Sequence, residues 1–278
     1  MEFARDTLYV SDLDGTLLGE TPELPEGAAA LLNEMLDAGL PFTVATARSW
    51  ASAGPIVRAL HLKYPVVAYN GAFLVDPTTG KDIDRCLFDE AQRRKVADVF
   101  LDAGLSPMVY AQIGGQQKVS WLRTKIHAGI EKYARDRAGD PRLRPVETME
   151  ELLQGEVFYL SAFAQRETLL PLEPKARALD FAHVSFTSDA YDPDYDWLEI
   201  SRFDATKATG VDKLRALTGI PRIVCFGDNL NDLPMFRVAD ECYAVANARE
   251  ELKAAASGVI GSNVEMGVPR FLRSRARG

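Results

Sequence analysis

The chain has 278 residues, with 32 Lys+Arg against 40 Asp+Glu and a formal net charge of −8. This length suits one large domain or two modest ones. A content of 47% hydrophobic and 26% charged residues, with 20 Gly and 15 Pro, excludes disorder, collagen and coiled coil as descriptions of the whole chain.

The elements follow in chain order. Thr7 to Val10 (TLYV) is a short apolar run ending in SDLDGT. Glu26 to Ala38 is a predicted helix, with Ala29, Leu32, Met35 and Leu36 on one face and Gly39 at its end. Phe42 to Ala45 (FTVA) runs into TARS, and Pro65 to Ala68 (PVVA) into YNG. A different pattern then begins. Asp89 to Ala103 reads as a helix, and Met108 to Ala111 with Lys118 to Leu122 as a hairpin around Gly114-Gly115. Ile126 to Arg137 is helical and Val157 to Phe163 a strand. Thr168 to Leu179 is a helix made irregular by Pro171 and Pro174, and His183 to Phe186 a strand. Ala190 to Asp196 (AYDPDYD) reads as a linker. The first pattern then returns: a helix over Ala208 to Leu217, Ile223 to Phe226 (IVCF) running into GDNLND, Tyr243 to Ala246 (YAVA) into NARE, and a helix over Glu250 to Ala256.

Short, continuously apolar runs bounded by turn residues are buried strands of a parallel sheet covered on both faces. Alternation with helices predicts a doubly wound α/β domain from residues 1–82 and 190–278, with an α+β insert over 83–189. In such a sheet ligands bind beyond the carboxyl ends of the strands, where all five polar clusters fall.

The acidic balance argues against nucleic acid or an anionic membrane surface as a main partner, and no stretch approaches the ~18 apolar residues of a membrane helix. MEFARDTLYVSDLDG has no long apolar h-region and no small-residue cleavage site, so a cytoplasmic location is expected. Arg270, Arg273, Arg275 and Arg277 read as a solvated helix end. Cys86, Cys225 and Cys242 form neither a CxxC pair nor a disulfide framework, and Cys225 reads as a core thiol. His61, His127 and His183 are too scattered for a histidine zinc site.

Asp12 and Asp14 are the sharpest feature. A carboxylate can attack phosphorus as a covalent nucleophile. A hard, oxygen-ligated cation such as Mg²⁺ would offset the mutual negative charge. A second carboxylate could give a proton to the leaving group and take one from water. Gly15 allows a sharp turn. Asp228, Asn231 and Asp232 in GDNLND could complete a magnesium site, or form an Asx turn with a helix cap. Thr46 offers a hydroxyl and an N–H to a phosphate oxygen, or caps the next helix. Arg48 could pair with phosphate or sit exposed. Lys207 could neutralise a phosphoryl oxygen or be an ordinary surface lysine.

These residues, in this order, resemble the four motifs of the haloacid dehalogenase (HAD) superfamily: Asp12-Leu13-Asp14-Gly15-Thr16-Leu17-Leu18, Thr46, Lys207, and Gly227-Asp228-Asn229-Leu230-Asn231-Asp232. Tyr69-Asn70-Gly71-Ala72, Leu198-Glu199-Ile200 and Ala246-Asn247-Ala248 are similar to the Cof-type, type IIB cap, sugar-phosphatase branch. The resemblance implies a Rossmann-like core with an α+β cap of the C2B type. It also implies an Mg²⁺-dependent phosphomonoesterase acting on a small phosphate ester, sugar phosphates first. Asp12 would be the nucleophile and Asp14 the general acid/base. The metal would sit on the Asp12 carboxylate, the Asp14 backbone carbonyl and Asp228, with Asn229 and Asp232 behind them. Thr46, Ala47, Arg48, Lys207 and Asn231 would hold phosphate or substrate. Two positions depart from the pattern: Thr46-Ala47-Arg48 where Thr-Gly-Arg is usual, and Lys207-Ala208 where Lys-Gly is usual.

A phosphomutase of the phosphomannomutase kind would use the same motifs but pass the phosphoryl group to a sugar hydroxyl. A non-catalytic sensor of phosphorylated ligands gains nothing from Asp12 and Asp14. An Mg²⁺-dependent nuclease would want a basic groove that the charge does not provide. Lys118, Trp121, Arg123, Tyr159 and His183 of the insert could reach a ligand, but strand-face packing for the two aromatics and solvation for Lys118 and Arg123 are the simpler readings.

Overall fold

The computed structural model describes residues 2–189 and 192–276. Contacts divide the chain into two units, Met1–Arg85 with Ala205–Gly278, and Cys86–Asp204.

The first unit holds β1 (Thr7–Ser11), α1 (Ala28–Asp37), β2 (Phe42–Val44), α2 (Trp50–Val57), β3 (Val66–Ala68), β4 (Phe73–Val75) and β5 (Asp82–Arg85). The second holds α3 (Glu90–Leu101), β6 (Met108–Ile113), β7 (Gln116–Leu122), α4 (Ala128–Asp136), β8 (Leu143–Val146) and α5 (Met149–Leu152). It continues with β9 (Glu156–Ala164), α6 (Arg166–Leu169), α7 (Glu173–Arg177), β10 (Ala182–Ser188) and β11 (Asp196–Arg202). The chain completes the first unit with α8 (Lys207–Thr218), β12 (Arg222–Gly227), α9 (Leu233–Val238), β13 (Glu241–Val245), α10 (Glu250–Ala255), β14 (Gly258–Ile260) and α11 (Gly267–Ser274).

The five-stranded sheet of the first unit runs β14-β13-β12-β1-β2, parallel throughout. β1 is buried at every position, as expected of a central parallel strand covered on both faces. Ala45, just past β2, bridges in parallel to Val67 of β3, which starts the antiparallel sheet β3-β4-β5. From β1 the chain winds outward through β2 on one side. It returns in β12 on the other, so the order reverses between β1 and β12, the position where open α/β sheets bind ligands. In α1, Ala28, Leu32, Met35 and Leu36 are buried, one residue from the expected stripe at its start, with Ala29 partly covered.

In the second unit six strands run β10-β11-β9-β6-β7-β8. The β6–β7 hairpin turns at Gly114 and Gly115, both with positive φ (58° and 76°), as a tight two-residue turn requires. The helix expected over Thr168 to Leu179 is instead two short ones, α6 and α7. Pro171 and Pro174 are the physical reason, since each removes an N–H and crowds the preceding turn.

The return to the first unit also differs from expectation. Ala190 and Tyr191 of the expected linker lie outside the described residues. Asp196 already starts β11, which pairs with both β9 and β10 in the second sheet. The units meet along the chain at Asp204 and Ala205, not at residue 190. A strand that mixes charged residues (Asp196, Glu199, Arg202) with buried Leu198 and Ile200 carries no signal of which sheet it joins. Nor is the arginine-rich end merely solvated. Arg273 lies 3.3 Å from Glu34 of α1, and Arg275 reaches Glu241 (3.1 Å) and the Tyr243 hydroxyl (2.6 Å) on β13. Arg277 is outside the described residues. Cys225 is fully buried and, like the buried Cys86 and Cys242, forms no disulfide among the described residues. No described helix is long and apolar enough to cross a membrane.

Helix α4 packs on the second sheet through Gly129, where an added Cβ would lie 1.5 Å from the Phe163 carbonyl oxygen. Alanine there gains up to about 1 kcal/mol of helix propensity. Overpacking costs about 1–3 kcal/mol and more where backbone must move, so the clash wins. Gly129→Ala is expected to lower unfolding free energy by ~2 kcal/mol, which urea denaturation measures.

Candidate active site

Four strand ends of the first unit supply the polar groups: Asp12 and Asp14 after β1, Thr46 and Arg48 after β2, Asp228 to Asp232 after β12, and Asn247 after β13.

The centre is a buried ion cluster. Lys207 opens α8 behind a capping box of Thr206 and Thr209. It is no surface lysine: its side chain is 0% exposed. The ammonium donates to Asp12 Oδ1 at 2.5 Å and to Asp232 Oδ1 at 2.6 Å. Asp232, also fully buried, spends its other oxygen on the backbone N–H groups of Asp228 (2.9 Å) and Asn229 (3.1 Å). It therefore fixes both the lysine and the loop. Gly227 makes room, since a Cβ there would lie 2.6 Å from Asp232 Oδ2. Asp228 is closer to solvent and accepts from the Thr16 hydroxyl at 3.1 Å. Asn229 caps the next turn through Leu230 N–H, and Asn231 is exposed.

Burial pushes the Asp12 carboxyl well above the usual range, with Asp232 and Asp228 adding to the rise and Lys207 opposing it. Burial, then Asp232, moves Asp228 up to about 6. Burial alone would lower the Lys207 pKa, but Asp12 and Asp232 outweigh it and the ammonium is held charged. Carboxylate oxygens of Asp12, Asp228 and Asp232 lie within 4.8 Å of one another. Three carboxylates against one ammonium leave two formal negative charges, and the donors are all oxygen. That combination fits one hard divalent cation. Asp14 stands apart from this set. Its carboxylate meets Arg48, whose Nε and Nη2 donate to it at 2.7 and 2.5 Å, so the Asp14 side chain is engaged outside the cluster.

Thr46 is fully buried and does not cap α2; Ser49 does. Its Oγ1 accepts from Arg48 N–H at 3.1 Å in a local turn. Ala47 is exposed. Among the described residues other than glycine, positive φ occurs at Tyr69, Asn70 and Met266. Ala47 therefore meets no backbone demand that only glycine could satisfy.

The bracing residues are the part that sequence reasoning left without a role. Gly71 (φ 104°) follows Tyr69 and Asn70, both also left-handed. A Cβ on it would lie 2.0 Å from the Thr206 carbonyl oxygen, immediately before Lys207. Asn70 N–H donates to the Thr46 carbonyl (3.0 Å) and Tyr69 N–H to that of Arg48 (3.0 Å). The Tyr-Asn-Gly turn thus ties the Thr46 loop to the start of α8. Asn247 Nδ2 donates to the Gly15 carbonyl (2.7 Å), and its Oδ1 accepts from Asn263 N–H (3.0 Å). Asn263 in turn holds the Leu18 carbonyl at 2.8 Å, and no motif pointed to it. Arg249 N–H donates to the Asp228 carbonyl (2.9 Å). Gly15 (φ 74°) is required twice, by its conformation and because a Cβ would overlap the Asp228 carboxylate.

Comparison with known proteins gives the family. The haloacid dehalogenase-like hydrolase family matches residues 9–272. The chain belongs to it. It is a HAD-type phosphatase of the Cof-type branch. It is 25% identical to the 5-amino-6-(5-phospho-D-ribitylamino)uracil phosphatase YitU of Bacillus subtilis (strain 168), over 96% of each chain. It is 24% identical to the pyridoxal phosphate phosphatase YbhA of Escherichia coli (strain K12), over 95% of this chain and 96% of that one. The crystal structure of TM0651 from Thermotoga maritima superposes with a TM-score of 0.79 at 25% identity, covering 100% of this chain and 99% of that one.

Removing the lysine leaves its buried carboxylates unpaired, which costs about 3–5 kcal/mol where neither can be neutralised. Lys207→Met in metal-free protein is expected to lower stability by ~3 kcal/mol at pH 7.5. The loss shrinks at pH 5, because Asp12 and Asp228 both have raised pKa values and take up protons as pH falls. Urea denaturation at the two pH values measures it.

Proposed function

We propose that this phosphatase is an Mg²⁺-dependent hydrolase of phosphomonoesters of small metabolites, working through an aspartyl-phosphate on Asp12. The observation that carries the reading is the buried Lys207 ammonium held between Asp12 and Asp232, with Asp228 beside them and Asp14 two residues on. A bare carboxylate attacking a phosphate dianion is repelled by it. Lys207 supplies fixed positive charge where that repulsion develops, without reorganising.

In the first step an Asp12 carboxylate oxygen bonds to phosphorus as the bond from phosphorus to the ester oxygen breaks. The Asp14 carboxyl gives its proton to the departing alkoxide. In the second step a water oxygen bonds to phosphorus, the bond to the Asp12 oxygen breaks, and the water's proton goes to Asp14. Inorganic phosphate and free Asp12 result. Thr46, through its hydroxyl, and Ala47, through its N–H, bind phosphoryl oxygens beside Lys207, and exposed Asn231 meets the substrate. A divalent cation on Asp12, Asp228 and the Asp14 carbonyl would neutralise charge on the phosphoryl oxygens. Asp232 serves as the anchor of Lys207 and the loop, in keeping with both its oxygens being taken.

The inserted unit, Cys86–Asp204, is the substrate-specificity domain in this reading, since it lies in sequence between Thr46 and Lys207. Among substrates, sugar phosphates come first. A phosphoribityl pyrimidine and pyridoxal phosphate follow, as the esters named for the two relatives.

Phosphate release from a panel of these esters tests the reading. Release is expected with Mg²⁺ and is abolished by EDTA and by Asp12→Asn. A folded Asp12→Asn with wild-type turnover would overturn it, and a phosphorylated isomer without free phosphate would replace hydrolysis by mutase transfer. The metal has a separate readout. Mg²⁺ at about 100 times its dissociation constant is expected to stabilise the wild type by roughly 2.7 kcal/mol. Asp228→Asn should lose that thermal shift while remaining folded.

A further inference from the structure

The geometry points to Arg48 as a positioning residue for Asp14, not a ligand of the phosphoryl group. The inference deepens the reading above and rests on it.

The guanidinium is already occupied. Nε donates to Asp14 Oδ2 at 2.7 Å and Nη2 to Asp14 Oδ1 at 2.5 Å, a two-pronged fork on one carboxylate. Nη1 lies 3.3 Å from the Ser52 hydroxyl on α2. The arginine backbone is fixed as well, with its N–H on Thr46 Oγ1 and its carbonyl accepting from Tyr69 N–H. A phosphate could use the same donors only by displacing Asp14.

The Asp14 side chain is 53% exposed while that of Arg48 is 19% exposed, so a largely buried guanidinium holds a carboxylate that faces solvent. The fork fixes an otherwise free carboxylate. Asp14 sits at the end of β1 on a turn whose other members are each pinned: Gly15 by Asn247, Thr16 by Asp228, Leu18 by Asn263. Its carboxylate is held by the Arg48 fork. The fork holds the ionised carboxylate that takes the proton from water. When Asp14 is protonated, one oxygen keeps its guanidinium bond and the other carries the proton within hydrogen-bond reach of the leaving oxygen. A fixed orientation supplies most of the advantage of an intramolecular group.

A phosphate ligand and a positioning residue fail differently. An alkyl phosphate must gain a proton on its leaving oxygen, whereas 4-nitrophenyl phosphate releases a stable phenolate that needs none. The quantity kcat/KM covers steps only through departure of the leaving group, so slow hydrolysis of the aspartyl-phosphate does not mask the contrast. The experiment compares wild type, Arg48→Gln and Arg48→Lys on 4-nitrophenyl phosphate and on glucose 6-phosphate, or whichever sugar phosphate the panel turns over fastest. Inorganic phosphate, as a competitive inhibitor, reports phosphate affinity.

Arg48→Gln is expected to lose kcat/KM on the sugar phosphate by about 100-fold, the scale of general acid catalysis, and only a few-fold on 4-nitrophenyl phosphate. Inhibition by inorganic phosphate should be unchanged. Arg48→Lys, which keeps the charge but not the fork, should fall between wild type and Arg48→Gln on the sugar phosphate and match wild type on the aryl ester. Equal losses on both esters together with weaker phosphate inhibition would make Arg48 a phosphate ligand and overturn the inference. So would unchanged kinetics in both variants. A wild type that releases phosphate from no ester, with or without Mg²⁺, is a distinct result. It removes the proposed function first and this inference with it.

Discussion

A single buried cation organises the first unit. The Lys207 side chain has no exposed surface, yet it carries a charge that burial by itself disfavours. It stays charged because Asp12 and Asp232 face it at 2.5 and 2.6 Å. Its charge in turn compensates those carboxylates, with two backbone N–H groups also on Asp232. Each partner makes the others tolerable, and the arrangement ties together three distant parts of the chain: the end of β1, the loop after β12 and the first residue of α8. A buried ion network of this kind contributes little net stability. It fixes geometry, which is what phosphoryl transfer asks of a protein.

Excess negative charge is the second theme. Three carboxylates to one ammonium is an unfavourable ratio in a low-dielectric interior; burial first, and then Asp232, raises the pKa values of Asp12 and Asp228. The same imbalance makes the cluster a good receptor for a divalent cation. Backbone braces keep the carboxylates from relaxing apart. Asp232 is held by two N–H groups, the Gly15 turn by Asn247, and the Asp228 carbonyl by Arg249. These polar crosslinks offset the repulsion and hold the loops in place.

Glycine marks the places where loops must touch. Gly15, Gly71 and Gly227 each leave no room for a Cβ, against Asp228, Thr206 and Asp232 respectively. A glycine in a turn is ordinary in sequence. What gives these three their meaning is the partner on the other side, from 5 to 213 positions away along the chain.

The amino-acid order by itself determined the parallel sheet and the two-part organisation, and it singled out the acidic residues at the strand ends as candidates. Continuous apolar runs such as TLYV and IVCF are local signals, and the acidic residues follow each run directly in the chain. Asp12, Asp14 and Asp228 needed no knowledge of the packing to stand out. Tertiary structure alone decided which of them share charge. Asp232 joins the cluster through Lys207, while Asp14 turns to Arg48. It also decided that β11 belongs to the second sheet, and that Asn247, Asn263 and Gly71 brace the loops. The physical reason is common to all of these. Side-chain pairing and close backbone approach depend on distances between segments far apart in the chain, and a sequence pattern records only what happens within one segment.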